Sequence, residues 1–426
     1  MKHWVLIVCG FFLFYGAAHA QNSLDYYLQE AMINSPVLEG YRSGNRQNEL
    51  RVKSVYALYR KPKIGLQGNI VAAPVLAMEG GKTSLSFSPS NNNYWGFDTA
   101  VTDGVSYQSL VSISQPLLNS KKLGIEIDGI NNQTDINNQN ITLSSHDLKK
   151  LVVDAYLFAY MHQQRSDHLD GILRLLRSNK AVLERLSQQS LCKPSDISRL
   201  AIESTTIKEQ QELERGLYYN SLTQLRMLCG IMDSSKVVLT VPLMHKSEFE
   251  GLTQFTHLYD LQIRSLEIQK QKMKLPYMPQ LNLNASMGLN GIYGRSIYKN
   301  VGMDFGVTLS WNIFDGKQLK YHQRTVDIQE DMVGFEKRSF MVQHMNHIVQ
   351  VNGDLTSCNR RIGLLENQLI EYGDLMNVYQ HELAIGSRTV MEYILLLREM
   401  ASLQVKLSDL MVERKQLINT YNYWNW

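Results

Sequence analysis

Few residues of this 426-residue chain stand at spacings that could carry chemistry. His344 and His347, with Met341 and Met345 beside them, come within reach of one another on a helix and could open a metal site. No carboxylate or third ligand accompanies them at useful spacing, so they read as surface or seam residues. Gly288, Gly291 and Gly294 imitate a nucleotide loop, but they lie in an alternating strand and its turn, with no helix expected after them. Cys192, Cys229 and Cys358 are widely spaced, odd in number and without a CxxC, which argues against both a disulfide framework and a zinc site. No local Ser/His/Asp or Cys/His set stands out. The chain is expected to need no cofactor and not to be an enzyme. Arg388 and Glu392 can pair along one helix face, a link worth about 0.3–0.5 kcal/mol when solvated.

The elements that would position such residues begin with an export signal. Lys2 gives a basic start, Val5 to Tyr15 is an apolar run, and Ala18-His19-Ala20 is a small-x-small cleavage site. The run falls short of the roughly 20 residues a spanning helix needs. Residues 1–20 are therefore expected to be a cleaved signal peptide, with Gln21 as the mature N-terminus. Cys9 lies inside the apolar run rather than at its cleavage end, so acylation there is not expected. A net charge of +3 is too balanced to suggest a nucleic-acid partner.

The chain reads as two copies of one unit, 21–230 and 231–426. Gln115-Pro116-Leu117-Leu118-Asn119-Ser120-Lys121-Lys122-Leu123 aligns with Trp311-Asn312-Ile313-Phe314-Asp315-Gly316-Lys317-Gln318-Leu319. The same offset carries Leu169, Leu173, Leu176 and Leu183 onto Leu365, Leu369, Tyr372 and Tyr379, Asp196 onto Glu392, and Leu200 onto Leu396. Upstream the offset lengthens, which places an insertion in the first copy near Ala72 to Asp103. Its Gly, Ser, Asn and Pro content predicts a surface loop.

Each copy is expected to carry a β-hairpin, near 62–116 and 279–314, then a long helical hairpin with its tip near 186–196 and 384–392. Leu281, Leu283, Ala285, Met287 and Leu289 alternate with polar or small residues, as do Met303, Phe305, Val307, Leu309, Trp311 and Ile313. These runs have the length of about 9–11 residues that crosses an outer membrane as a tilted strand. Ile64 to Val71 and Ser106 to Gln115 repeat the pattern more weakly. From Gly316 to Ile385, and from Leu117 to Lys193, there is no proline. Ile362, Leu365, Leu369, Tyr372, Met376, Tyr379 and Leu383 follow a heptad rhythm that resumes at Tyr393, Leu396, Met400, Leu403, Leu407 and Leu410. A helix of roughly 70 residues rises about 105 Å. The aromatic end from Tyr421 to Trp426 is expected to pack on the upper helices rather than in an interfacial belt. Four strands cannot close a membrane barrel, whose smallest form needs eight, and open edges in lipid are costly, so identical copies must complete it.

In Tyr277-Met278-Pro279-Gln280-Leu281, Trp311-Asn312-Ile313-Phe314-Asp315-Gly316 and Ala384-Ile385-Gly386-Ser387-Arg388-Thr389-Val390-Met391-Glu392, the chain resembles the TolC family of outer-membrane efflux and secretion channels. The resemblance covers nearly the whole mature chain. It implies an α+β membrane protein: very long helices plus four antiparallel strands per chain in a shared twelve-stranded barrel, assembled as a homotrimer. It further implies a periplasmic extension docked on a periplasmic adaptor (membrane fusion) protein, which joins it to an inner-membrane pump of RND or ABC type. Arg388, Glu392 and Asp196 match the family's tip latch, while Leu191, Cys192, Ile385, Gly386 and Ser387 fall at the adaptor-facing tip. Leu395 replaces a second acidic ring position and Leu383 a latch tyrosine, and the turn Leu191-Cys192-Lys193-Pro194 lacks the family's glycine. Two rivals remain at this point. A stand-alone porin would need more strands, and a periplasmic coiled-coil scaffold or adaptor would leave lipid-length strands without purpose.

Overall fold

A computed structural model describes residues 22–89, 92–97, 105–188, 193–248, 253–292 and 294–426. The expected signal peptide, Gln21, and the tip residues Leu191 and Cys192 lie outside these. Seven α-helices and seven strands are described: α1 Leu24–Asn34, α2 Pro36–Arg60, β1 Lys63–Ala72, β2 Val75–Glu79, β3 Lys82–Ser86, β4 Tyr94–Trp95, β5 Val105–Leu117, α3 Ser120–Gln188, α4 Pro194–Cys229, α5 Thr253–Met273, β6 Gln280–Gly291, β7 Val301–Ser310, α6 Gln318–Ala384 and α7 Val390–Trp424. Short 3-10 turns precede β6 and join β6 to β7.

The chain divides into two compact units. The strand-bearing unit comprises Ser43–Asn137 and Tyr259–Phe335. Its main sheet is antiparallel in the order β1-β5-β6-β7, so each expected hairpin forms and β5 joins the two through β6. Pro62 ends α2 and commits the next residues to extended chain. The structure departs from two expectations. The insertion expected as a loop carries a second sheet, β3-β2-β4, turned at Gly80 and Gly81, whose φ of +56° and +77° favour residues without a Cβ. The alternation expected to run to Ile313 leaves the ladder at Ser310, where the Trp311 indole turns aside to donate to the Tyr277 carbonyl at 3.1 Å.

The helical unit comprises the described residues of 22–42, 138–258 and 336–426. The absence of proline lets α3 and α6 run for 69 and 67 residues. α4 and α7 pack back against their C-terminal halves, and α4 opens on Pro194, where a missing amide costs nothing. Leu169, Leu173, Leu176 and Leu183 of α3, Leu200 of α4, Met376 and Leu383 of α6 and Tyr393 and Leu396 of α7 share one core. A further cluster of Cys358, Ile362, Leu365 and Leu410 continues the expected heptad seam. At the chain's end, the Trp426 ring stacks on His146 at 3.8 Å and the Trp424 ring on His347 at 4.7 Å. The terminal aromatics thus pack on helices, as expected. His344, fully buried, bonds to the Trp424 carbonyl, so both histidines of the possible metal pair are engaged by that one tryptophan.

Candidate functional site

The main sheet's register sorts its side chains onto two unlike faces. Ile64, Ile113, Ala285 and Phe305 lie across the four strands in one row, and Leu66, Val111, Met287 and Met303 in the next. Leu117, Leu281 and Leu309 extend the same face. The other face carries Gly65, Ser112, Ser286 and Asp304 in one row, and Asn69, Gln108 and Asn290 in another. Its polar groups bond across strands: Asn69 to Gln108 at 3.2 Å, Ser114 to Asn284 at 2.9 Å, Asn284 to Thr308 at 3.1 Å, and Ser286 to Asp304. Within one chain neither face is covered at the edges. All ten residues of β1 and of β7 are exposed, Leu66 at 78% and Phe305 at 77%. Water on the apolar face would forgo about 1.5–3 kcal/mol for each large side chain that could be buried.

Below the sheet, a compact junction sets the angle at which the last strand enters α6. Gly316 and Lys317 turn the chain with φ of +68° and +73°. Asp315 accepts from the Lys317 amide at 2.8 Å, the Leu319 amide at 2.7 Å and the Tyr277 hydroxyl at 2.6 Å. The Tyr277 hydroxyl and these amides hold the Asp315 carboxyl below the usual aspartate range. Two sequence pieces that read as separate motifs therefore meet in one place.

At the far end of the second helical hairpin, Gly386 turns the chain with φ of +75°. Thr389 caps α7, its hydroxyl accepting from the Glu392 amide at 3.3 Å, and Glu392 accepts from the Thr389 amide at 3.1 Å and hydroxyl at 3.0 Å. These bonds, the Thr389 amide foremost, lower the Glu392 pKa. Arg388 stands just ahead of the cap rather than within the helix. Its guanidinium donates to Glu382 at 2.6 Å, approaches Glu392 at 3.6 Å and lies 4.5 Å from the Tyr379 ring centre. The structure thus brings Arg388 and Glu392 together, with Ile385 and Ser387 exposed beside them. Asp196 stands on the other hairpin, in the first turn of α4. The alignment that puts Asp196 on Glu392 also puts Lys193 on Thr389, cap on cap. Leu383 is buried and Leu395 exposed.

Neither a family model nor a curated protein sequence matches this chain. Solved structures do. The outer-membrane protein VceC of Vibrio cholerae superposes with a TM-score of 0.67 over 94% of this chain and 95% of its own, at 12% identity. The open-state MtrE outer-membrane channel of Neisseria gonorrhoeae gives 0.68 over 95% and 89%, at 10% identity. The CmeC outer-membrane channel of Campylobacter jejuni gives 0.70 over 94% and 85%, at 9% identity. This chain has the TolC-type channel fold. Within that fold, sequence reading missed one feature: Tyr321, Ile328, Phe335, Val342 and Val349 of α6 recur every seventh residue, and each is more than half exposed. The signal is an unbroken seven-residue repeat in the sequence.

Proposed function

We propose that this chain is one protomer of the outer-membrane exit duct of a tripartite efflux or type I secretion system. In that role it conducts substrates passively from an inner-membrane pump and a periplasmic adaptor to the exterior. The observation that carries the proposal is the sheet: apolar on one face, polar on the other, edged by β1 and β7, and too small to close alone. Lipid on the apolar face and water on the polar face satisfy both, and edge-to-edge pairing of copies satisfies the backbone. Three copies give twelve strands. No helix among the described residues is long and apolar enough to span a bilayer. The corresponding caps of α4 and α7 favour the duplication, and the exposed stripe on α6 offers a further surface on which copies can meet.

The purified protein should run in detergent as a trimer whose band shifts to the monomer on heating, and it should conduct ions across a planar bilayer. A stable monomer, soluble without detergent and silent in bilayers, is the contrary outcome. Crosslinking from Ser387 in intact cells should capture a periplasmic adaptor.

A further inference from the structure

The small sheet in the insertion between β1 and β5 has two unlike faces. On one, Val75 and Ala77 of β2 are buried, and Gly96 lies so close to Val75 that a Cβ would have no room. On the other, register puts Leu85 of β3, Leu76 of β2 and Trp95 of β4 side by side in one row. All three are exposed, Trp95 at 70%. Phe87 and Phe97, which follow β3 and β4 in the chain, are exposed as well. A sheet that already buries one face gains nothing in water from an apolar row on the other. Such a row marks a contact surface.

Strand direction decides what stands next to it. β1 sets out from α2 and β5 returns to α3, so the insertion springs from the end of the main sheet away from the helices. β6 sets out from the turn after α5 and β7 leads to α6, so the 3-10 turn Gly294–Lys299 between them lies at that same end. The register agrees: Ala72 pairs with Val105, Tyr107 with Gly291, and Leu289 with Val301. Within one chain the insertion rises beside the β1 edge and the turn beside the β7 edge, with β5 and β6 between. When β7 of one copy pairs antiparallel with β1 of the next, those edges meet, and the insertion of one copy comes beside the turn of the other. That turn exposes Tyr298 at 67%, and Arg295 and Lys299 are exposed in it too. Cations are drawn to the faces of aromatic rings, tryptophan best of all, so a cationic, aromatic turn complements the Trp95 row.

We propose that the small sheet is a clasp between copies: the Leu76, Leu85 and Trp95 face of one protomer seats on the Gly294–Lys299 turn of its neighbour. The inference rests on the duct reading above and goes beyond it, since strand pairing alone would close the barrel. The clasp adds a side-chain contact across each β7–β1 seam, which is where a barrel built from separate chains can come apart. It stands at the end of the strands away from the helices and leaves the bore to the main sheet.

The test is photo-crosslinking of the full-length protein in intact cells, with benzoylphenylalanine in place of Trp95. On heated denaturing gels the product should run at the mass of two chains, and mass spectrometry should place the joint within the Gly294–Lys299 turn. Leu76→Ser with Leu85→Ser and Trp95→Ala should lower the temperature at which the trimer band disappears, and so should Tyr298→Ala. Combined, the two sets should lower it by less than the sum of their separate shifts, which two unrelated losses of stability would not do. Conductance of the variant channels should stay at the parent value. A label that joins lipopolysaccharide, another protein or only its own chain overturns the clasp, as do the absence of a two-chain product and fully additive shifts. If the parent shows neither a heat-sensitive oligomer nor a channel, the duct reading itself fails, and the clasp with it. If the parent shows both and the label goes elsewhere, the clasp alone fails.

Discussion

Asp315 is a residue whose carboxylate closes a junction that no local pattern announces. It accepts from two amides of the turn it belongs to and from Tyr277, which lies on the far side of the β6–β7 hairpin. Because its folded pKa is depressed, the bonds contribute fully above the ordinary aspartate value of 3.8 and are lost as pH falls through the lower folded one. Tryptophan fluorescence, with Trp311 adjacent, should therefore show Asp315→Asn less stable than the parent at neutral pH. The two should converge as the pH falls below the usual carboxylate range, and parallel curves would remove Asp315 from the account. At the tip, Thr389→Ala should cost about 1 kcal/mol by removing the N-cap, seen as faster amide exchange in the first turn of α7. The spacing of Arg388 and Glu392 suggested a pair on a helix face. Spacing alone could not show that the helix begins between them, which frees Arg388 to reach back to Glu382. Likewise, the Tyr277–Asp315 bond joins segments whose proximity only the folded hairpin creates.

At the scale of elements, strands and long helices were legible because each repeats a short period. Alternation from Leu281 to Leu289 and from Met303 onward fixed which side chains share a face, and the observed register sets those faces together across four strands. The insertion between β1 and β5 was not legible. Its strands are short, its turns are glycine, and its composition is that of a loop, so only pairing partners distinguish the two states. The faces lead to a paired prediction. Phe305 lies mid-strand on the apolar face and Ser112 on the polar one. Phe305→Lys should cost about 2–4 kcal/mol per copy if that face meets the bilayer midplane, whereas Ser112→Lys should be tolerated. Refolding yield into lipid vesicles reads the difference. Equal losses for the two substitutions would mean that the faces do not separate lipid from water.

At the scale of the whole molecule, what matters is what one chain leaves unfinished. Among the described residues, the two edges of the main sheet and a regular apolar stripe on α6 lack internal cover, although the same helix buries Ile362, Leu365 and Met376 within the chain. A helix does not keep an exposed seven-residue apolar repeat from Tyr321 to Val349 by composition alone, because such a repeat is what supercoiled helices bury against a partner. Each large side chain covered on association contributes about 1.5–3 kcal/mol, and a symmetric assembly gains that contribution once per copy. Ile328→Glu with Phe335→Glu should therefore abolish the heat-sensitive oligomer band and lower the detergent-solubilised mass to that of a monomer. The helical circular-dichroism signal should survive, since neither side chain belongs to a core cluster of its own chain. Leu365→Glu, inside the intrachain seam, should instead lower the helix signal itself. An oligomer that persists with both glutamates in place would show that the stripe faces something other than another copy of this chain.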